Sequence, residues 1–145
     1  MTRTSTARLP ELLVPTPPPP GRAPHLSFVL HEHHRPQHHF DLRLEQGGVL
    51  RSWAVPKGMP DEVGADRLAV AVADHDLEHA SYTDADKRIA DEGTWELEDV
   101  DDRRFVFVLH GRNGARRYAL IRTGKDWLLH LMRRQPRSAS AHVVE

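Results

Sequence analysis

The chain has 145 residues, of which 39% are hydrophobic and 28% are charged, and this composition fits one globular domain. It contains no cysteine, which excludes disulfides and thiolate zinc sites, so any metal would be held by His, Asp or Glu. The sequence has neither an apolar run of about 18 residues nor a signal-peptide core, so we expect a cytoplasmic protein that contacts no membrane.

Charge is distributed unevenly, although the formal net charge is −1. Residues 61–102 carry fifteen acidic and three basic side chains, whereas residues 103–137 carry ten basic side chains and one acidic. A basic third of this kind can follow a phosphate backbone even in a nearly neutral molecule. The alternative is two solvated faces that attract each other within the fold.

The two ends of the chain differ in composition from its middle. Residues 1–24 contain seven of the eleven prolines, four of them consecutive at residues 17–20. Consecutive prolines favour polyproline II and cannot donate to a sheet ladder, so we expect a flexible arm here. Residues 135–145 are small, polar and aperiodic, and are predicted to be a disordered tail. One folded domain over residues 25–134 remains.

Seven short segments have the composition of β-strands, because they are rich in aliphatic and aromatic residues and are separated by turn sequences. They are residues 26–30, 39–45, 48–55, 67–73, 104–110, 117–122 and 126–132. The sequences QGG (46–48), RNG (112–114) and TGK (123–125) each predict a hairpin, so the sheet should be mainly antiparallel. Residues 84–92 predict one short helix. The whole pattern predicts an all-β fold, a closed or partly closed β-barrel of about seven to eight strands.

The segment HEHHRPQHHFDLRLE, residues 31–45, holds five of the eleven histidines in its first nine residues. Because side chains alternate across a strand, its apolar residues should face a core, and His39, Asp41 and Arg43 should line the opposite face. A polar strand face is often only solvated. The pattern therefore leaves open a surface tract or a functional site.

A short excursion before this strand would allow His33 or His34 to return beside His39 and Asp41. Two imidazoles and one carboxylate supply three ligands for a divalent metal and leave positions for water or substrate. The guanidinium of Arg43 is suited to hold a phosphate nearby. These groups fit metal-assisted phosphoester cleavage. A histidine-rich protein that only binds metal is an alternative, but it does not account for Arg43.

The segment ADHDLEHA, residues 73–80, is a second candidate site. His75 follows an apolar strand, and a histidine just past a strand end is more often structural than catalytic. The residues alone leave both roles open for His75 and His79.

Together, FVLHEHHRPQHHFDLRLEQGGVLRSWAVPKG and DRLAVAVADHDLEHA closely resemble the 3′-phosphoesterase domain of bacterial ATP-dependent DNA ligase D. That family has a H-x5-H-x-D-x-R core, then a W-A-V-P-K-G run and a D-H-P-L-E-Y motif. The resemblance covers residues 28–80 and resumes in EGTWELED and FVFVLHGRNGARRYALIRTGKDWLLHLM. It implies a compact β-barrel with the site in a crescent groove.

By position, the resemblance implies that His33, His39 and Asp41 bind a metal, usually Mn²⁺, and Co²⁺ or Zn²⁺ fit the same donors. The family's Gln-Lys is His31-Glu32 here, so His31 is a possible extra ligand. The implied activity is removal of a 3′-phosphate or a 3′-terminal ribonucleotide from a primer strand, which leaves a 3′-OH for ligation.

The resemblance also implies catalytic residues around the scissile phosphate. Arg43 and His75 match the family's phosphate contacts, and Lys57 and Arg67 match further basic residues of its site. The tyrosine of D-H-x-L-E-Y is His79 here, and a histidine can also hydrogen-bond a phosphate.

One family segment, P-E-G-x-Y-G-A-G, is absent, because the chain continues after Tyr82 with the shorter and more acidic TDADKRIADEGTW. Its absence favours the alternative of a catalytically degenerate module of the same fold that binds DNA ends or a repair partner. The expected partners are DNA 3′ ends of a primer–template, with a DNA ligase, polymerase or end-binding protein acting in trans. We expect a monomer.

Overall fold

The computed structural model describes residues 26–136, and this part of the chain folds into eight β-strands and one short 3₁₀ helix, η1. The elements are β1 (Leu26–His33), β2 (His39–Gln46), β3 (Val49–Val55), β4 (Asp66–Asp76), η1 (Leu77–Ser81), β5 (Lys87–Val100), β6 (Arg104–Gly111), β7 (Gly114–Arg122) and β8 (Trp127–Leu131). The predicted arm over residues 1–24 and most of the predicted tail lie outside the described residues.

All neighbouring strands are antiparallel and form a closed barrel in the order β1-β2-β3-β4-β8-β7-β6-β5, with β5 paired to β1. The predicted all-β antiparallel barrel is confirmed, with eight strands and complete closure. The three predicted hairpins join β2 to β3, β6 to β7 and β7 to β8. At the first of them, Gly47 and Gly48 both have positive φ, 66° and 85°, as a two-residue hairpin turn requires. Among residues 26–136, no helix is long and apolar enough to span a membrane.

The helix predicted over residues 84–92 is wrong, because β5 begins at Lys87. The Asp84 carboxylate accepts a hydrogen bond from the Asp86 backbone N–H at 2.8 Å, which forms a tight turn ahead of the strand. The strand then pairs with β1, with Lys87 opposite His33 and Ile89 opposite His31. Pairing between segments more than fifty residues apart outweighs a local preference for helix.

The barrel interior is packed with aromatic and aliphatic side chains. Trp53, Trp95 and Trp127 are at most 2% exposed and pack with Phe105 and Phe107 at ring-centroid distances near 6 Å. Each fully buried large apolar side chain stabilises the fold by about 2 kcal/mol. This core fixes the strands whose outer faces carry the polar residues described below.

Part of the outer barrel wall is also buried. His31, Asp41, Arg43 and Ser52 point away from the core, yet each is at most 5% exposed. The chain from η1 to β5 covers them, with η1 packed on β3 and β4. An open cleft of about 430 Å³ lies along this cover, lined by His75, Asp76, Glu78, His79, Ser81 and Tyr82.

The acidic and basic segments meet on the wall formed by β5, β6 and β7. Arg117 makes two contacts with Glu98, at 2.6 and 3.0 Å, and Arg112 contacts Glu92 at 3.0 Å. Through these pairs, the two segments attract each other within the fold.

Candidate metal and phosphate site

The register of β1 and β2 brings together three side chains that could hold a metal ion. His33 lies opposite His39 across the strand pair, and Asp41 is the next outward-facing residue on β2. Their ligand atoms all lie within 4.8 Å of one another. Asp41 Oδ2 is 3.2 Å from His39 Nε2 and 4.0 Å from His33 Nδ1. Of the two histidines that the sequence left open, His33 joins this cluster and His34 does not.

Hydrogen bonding around His39 fits a cation at this cluster. The Nδ1–H of His39 donates to the Gln37 carbonyl at 2.9 Å, so the Nε2 lone pair of the neutral ring faces the Asp41 carboxylate. Two acceptors 3.2 Å apart repel each other unless a proton or a metal ion lies between them. Burial, Lys87 and His39 lower the pKa of His33, which favours the neutral imidazole that a metal requires.

Arg43 is held beneath the cluster by three hydrogen bonds. Its Nη2 donates to Asp41 Oδ2 at 3.3 Å, its Nη1 to Ser52 Oγ at 2.9 Å and its Nε to His31 Nδ1 at 3.1 Å. Ser52 lies directly opposite Arg43 on β3 and its hydroxyl in turn donates to the Leu50 carbonyl. Arg43 is only 2% exposed, so the charge of its guanidinium is a fixed feature of the barrel wall.

Both ring nitrogens of His31 are engaged, and the ring is fully buried. Nδ1 accepts from Arg43, so Nε2 carries the proton and donates to the Tyr82 carbonyl at 3.0 Å. Burial, with Arg43 and Lys87 nearby, lowers the pKa of His31 from 6.5 to about 4. The cluster of ligand atoms does not include His31, so in this arrangement the ring connects Arg43 to the chain that follows η1.

Three aromatic rings line the cleft beside the cluster. The ring of His79 stacks on His75 at 4.2 Å and on Tyr82 at 4.9 Å, and it meets His31 edge-on at 5.3 Å. Burial and the charges of Lys87 and Arg43 lower the pKa of His79 to about 4, and burial also lowers that of His75. Near neutral pH these rings are therefore uncharged hydrogen-bonding groups.

Lys87 is a functional candidate that sequence reasoning missed. It is 8% exposed, its Nζ lies 3.0 Å from His79 Nε2, and it stands over the Tyr82 ring at 5.3 Å. The residues around it predicted a helix, and only its pairing with His33 of β1 turns it toward the site. Ser52 was also missed, because nothing in the sequence links it to Arg43.

The two further basic residues of the predicted site lie outside β1 and β2: Lys57 follows β3, and Arg67 is near the start of β4. Lys57 is exposed in the turn that follows β3, where the Gly58 N–H donates to the Val55 carbonyl. Arg67 donates to the Asp66 carbonyl at 3.3 Å and lies on the inward-facing side of β4, two residues before the buried Ala69. No hydrogen bond or ion pair joins either residue to the metal-ligand candidates. Their catalytic role remains a prediction.

Sequence similarity identifies the family of this site. Residues 31–122 match the family described as the DNA Ligase D 3′-phosphoesterase domain. The chain belongs to this family. The predicted resemblance is confirmed, and the family is one of phosphoesterase domains, which are hydrolases.

The chain is similar to proteins named multifunctional non-homologous end joining protein LigD. The chain is 41% identical over 123 residues to the one from Mycobacterium bovis, covering 75% of this chain and 16% of the relative. It is 40% identical over 129 residues to the one from Mycolicibacterium smegmatis, covering 74% of this chain and 17% of the relative. It is 35% identical over 128 residues to the one from Pseudomonas aeruginosa, covering 74% of this chain and 15% of the relative. The chain thus spans about a sixth of the length of the curated relatives that it matches.

Proposed function

We propose that this chain is a metal-dependent 3′-end-processing phosphoesterase, which removes a 3′-phosphate or a 3′-terminal ribonucleotide from a primer strand and leaves a 3′-OH. The observation that carries the proposal is the convergence of His33, His39 and Asp41 within 4.8 Å, directly above the buried charge of Arg43. Membership of the 3′-phosphoesterase family supports the same reaction class.

His33, His39 and Asp41 are the residues that would hold the metal, and Mn²⁺ is the proposed ion, with Co²⁺ or Zn²⁺ suited to the same donors. When bound, such an ion polarises a phosphoryl oxygen and lowers the pKa of a coordinated water. Asp41 supplies the cluster's single negative charge. The Gln37 carbonyl fixes the ring of His39 so that Nε2 faces the ion.

The cleft beside the metal ligands is the proposed place for the scissile phosphate. His79 Nε2 accepts from Lys87, which leaves an N–H at Nδ1 free to donate to a phosphoryl oxygen. His75, stacked on His79, lies along the same cleft. Lys87 and Arg43 add two positive charges beside this cleft, and because both side chains are buried, water screens them little and they can offset charge that develops on the phosphoryl group.

The proposed substrate is the 3′ end of a primer–template, and the proposed partners are a DNA ligase, a polymerase or an end-binding protein acting in trans. The names of the relatives support this setting, because they place those proteins in non-homologous end joining. Any contribution of the exposed arginines of the basic third to DNA binding should appear as a strong salt dependence of affinity.

The test is a gel assay on primer–templates whose primer ends in a 3′-phosphate or in one ribonucleotide, with Mn²⁺, Mg²⁺ or a chelator. We expect conversion to a 3′-OH end with Mn²⁺ and none with chelator or in Asp41→Asn, which removes the charge but keeps the shape. His110→Gln is the matched control, because His110 also contacts a carboxylate, Glu96, but lies outside the site. Activity that Asp41→Asn leaves intact would refute the proposed centre.

The second candidate function is a degenerate module that binds DNA ends or a repair partner without turnover. The short connection between Tyr82 and Lys87 favours it, because only four residues separate the ring that lines the cleft from the start of β5. It predicts salt-dependent DNA binding that His39→Ala leaves unchanged, with no conversion of either primer. Manganese-dependent conversion would exclude it.

A further inference from the structure

The strand pair that carries His33 and His39 also carries a second group of metal-ligand side chains. Glu32 precedes His33 on β1 and therefore points to the opposite face. His34 and His38 lie just beyond the pair formed by His33 and His39, at the two ends of the connection between β1 and β2. The ligand atoms of Glu32, His34 and His38 lie within 4.8 Å of one another. The function proposed above uses none of the three.

The carboxylate of Glu32 is already oriented toward the two rings. Its Oε1 accepts a hydrogen bond from Arg88 Nε at 2.7 Å and forms an ion pair with Arg88 Nη2, also at 2.7 Å. Its Oε2 is left facing His38 Nε2 at 2.7 Å and His34 Nε2 at 3.9 Å. The arrangement resembles a ligand that an outer-shell partner holds in place, since Arg88 binds one oxygen and the other is directed at the two histidine rings.

The two imidazoles are also held in position. The rings of His34 and His38 are parallel within 5° and 4.9 Å apart, and His38 packs against Phe40 at 5.3 Å. The His34 backbone N–H donates to the Asp86 carbonyl at 2.8 Å, which ties this end of the connection to the turn before β5. Both rings are more than half exposed, so a hydrated cation can reach them directly.

We propose that Glu32, His34 and His38 form a second metal site at the rim of the barrel, specific for a divalent transition ion such as Zn²⁺, Co²⁺ or Ni²⁺. Two imidazoles and a carboxylate bind these ions more tightly than they bind Mg²⁺ or Ca²⁺, which take oxygen ligands. The ion replaces the hydrogen bond between Glu32 and His38, and water completes its coordination shell. The bound ion links the two ends of the connection formed by residues 34–38. This connection is flanked by His33 and His39. The site does not depend on the phosphoesterase activity.

The experiment counts metal equivalents on the full, metal-stripped chain by titration calorimetry with Zn²⁺, and follows Co²⁺ binding by visible absorption. The wild-type chain should bind two equivalents, and His38→Gln and Glu32→Gln should each bind one fewer. Asp41→Asn should lose the other equivalent and keep the one that depends on His38. Phosphoesterase activity with Mn²⁺ should survive His38→Gln.

His110→Gln is the matched control for His38→Gln. His110 Nε2 contacts Glu96 Oε2 at 2.9 Å, much as His38 contacts Glu32, and among residues 26–136 no second histidine joins that pair in a metal-ligand group. It should leave the number of equivalents unchanged. Equal binding by the wild-type chain and His38→Gln, with both folded by circular dichroism, would overturn the rim site. A matching loss in His110→Gln would overturn it as well.

Discussion

The ammonium of Lys87 lies 3.0 Å from Nε2 of His79, and this contact determines which nitrogen of that ring carries the proton. An ammonium group can only donate, so Nε2 is the acceptor and the hydrogen is on Nδ1. Local sequence gives no sign of the contact, because the two residues belong to η1 and β5 and meet only when β5 pairs with β1. Lys87 is therefore a positioning residue for the proposed phosphate contact.

Lys87→Met keeps most of the side-chain volume but removes the charge and the donor. We expect turnover to fall about 10–100-fold, because one fixed charge and the orientation of His79 are lost together. Removing Lys87 should also raise the pKa of His79 from about 4 toward its ordinary value. The ¹⁵N shifts of the His79 ring, followed against pH, report both the tautomer and the pKa. An unchanged titration would show that Lys87 has no positioning role.

Substitutions at Asp41 and at Arg43 should affect metal binding and turnover differently, although Nη2 of Arg43 contacts Asp41 Oδ2. Asp41→Asn should abolish Mn²⁺ binding, because the cluster loses its only anionic ligand. Arg43→Lys keeps the positive charge but cannot reproduce the three fixed contacts, so turnover should fall about 10–100-fold while Mn²⁺ affinity changes less than about tenfold. Manganese titration and single-turnover kinetics measure the two effects. Complete loss of Mn²⁺ in Arg43→Lys would contradict this division of roles.

Ser52→Ala removes the acceptor that holds Nη1 of Arg43. The buried N–H is left without a partner, so we expect a loss of about 1–3 kcal/mol in the free energy of unfolding, together with slower turnover. Ser27 is the matched control, because its hydroxyl also bonds a charged side chain, Glu45, but away from the cluster. Urea unfolding and turnover should show that both variants lose stability and only Ser52→Ala loses activity. Normal turnover in Ser52→Ala would argue against its role.

Buried His31 should make folding sensitive to acid. Its pKa is about 4 in the folded protein and 6.5 in the unfolded chain, so the unfolded state binds the proton more tightly. The contribution of His31 is complete above pH 6.5 and declines as the pH falls toward 4, by about 3 kcal/mol in total. His31→Gln keeps a donor and an acceptor but cannot ionise. Denaturant unfolding of both proteins with chelator present, from pH 7 to pH 4, should show a shallower decline for His31→Gln. Equal slopes would mean that His31 does not ionise in this range.

Strand periodicity and turn chemistry were sufficient to predict the main architecture. Alternation along β2 predicted that Leu42 and Leu44 enter the core while Asp41 and Arg43 face away from it, and the burial and contacts of these residues agree. The three turn sequences predicted their hairpins, because glycine at positive φ is a local requirement. Both signals come from residues adjacent in sequence, so they do not depend on the tertiary structure.

The sequence by itself thus determined the all-β class, the antiparallel hairpins and the polar face of β2. Tertiary structure decided that His33 rather than His34 joins His39 and Asp41, and that Lys87 begins a strand instead of lying in a helix. The pairings of β5 with β1 and of β4 with β8 are also visible only in the tertiary structure. Each of these features depends on the register between segments far apart in the chain, and register is set by the packing of the whole core.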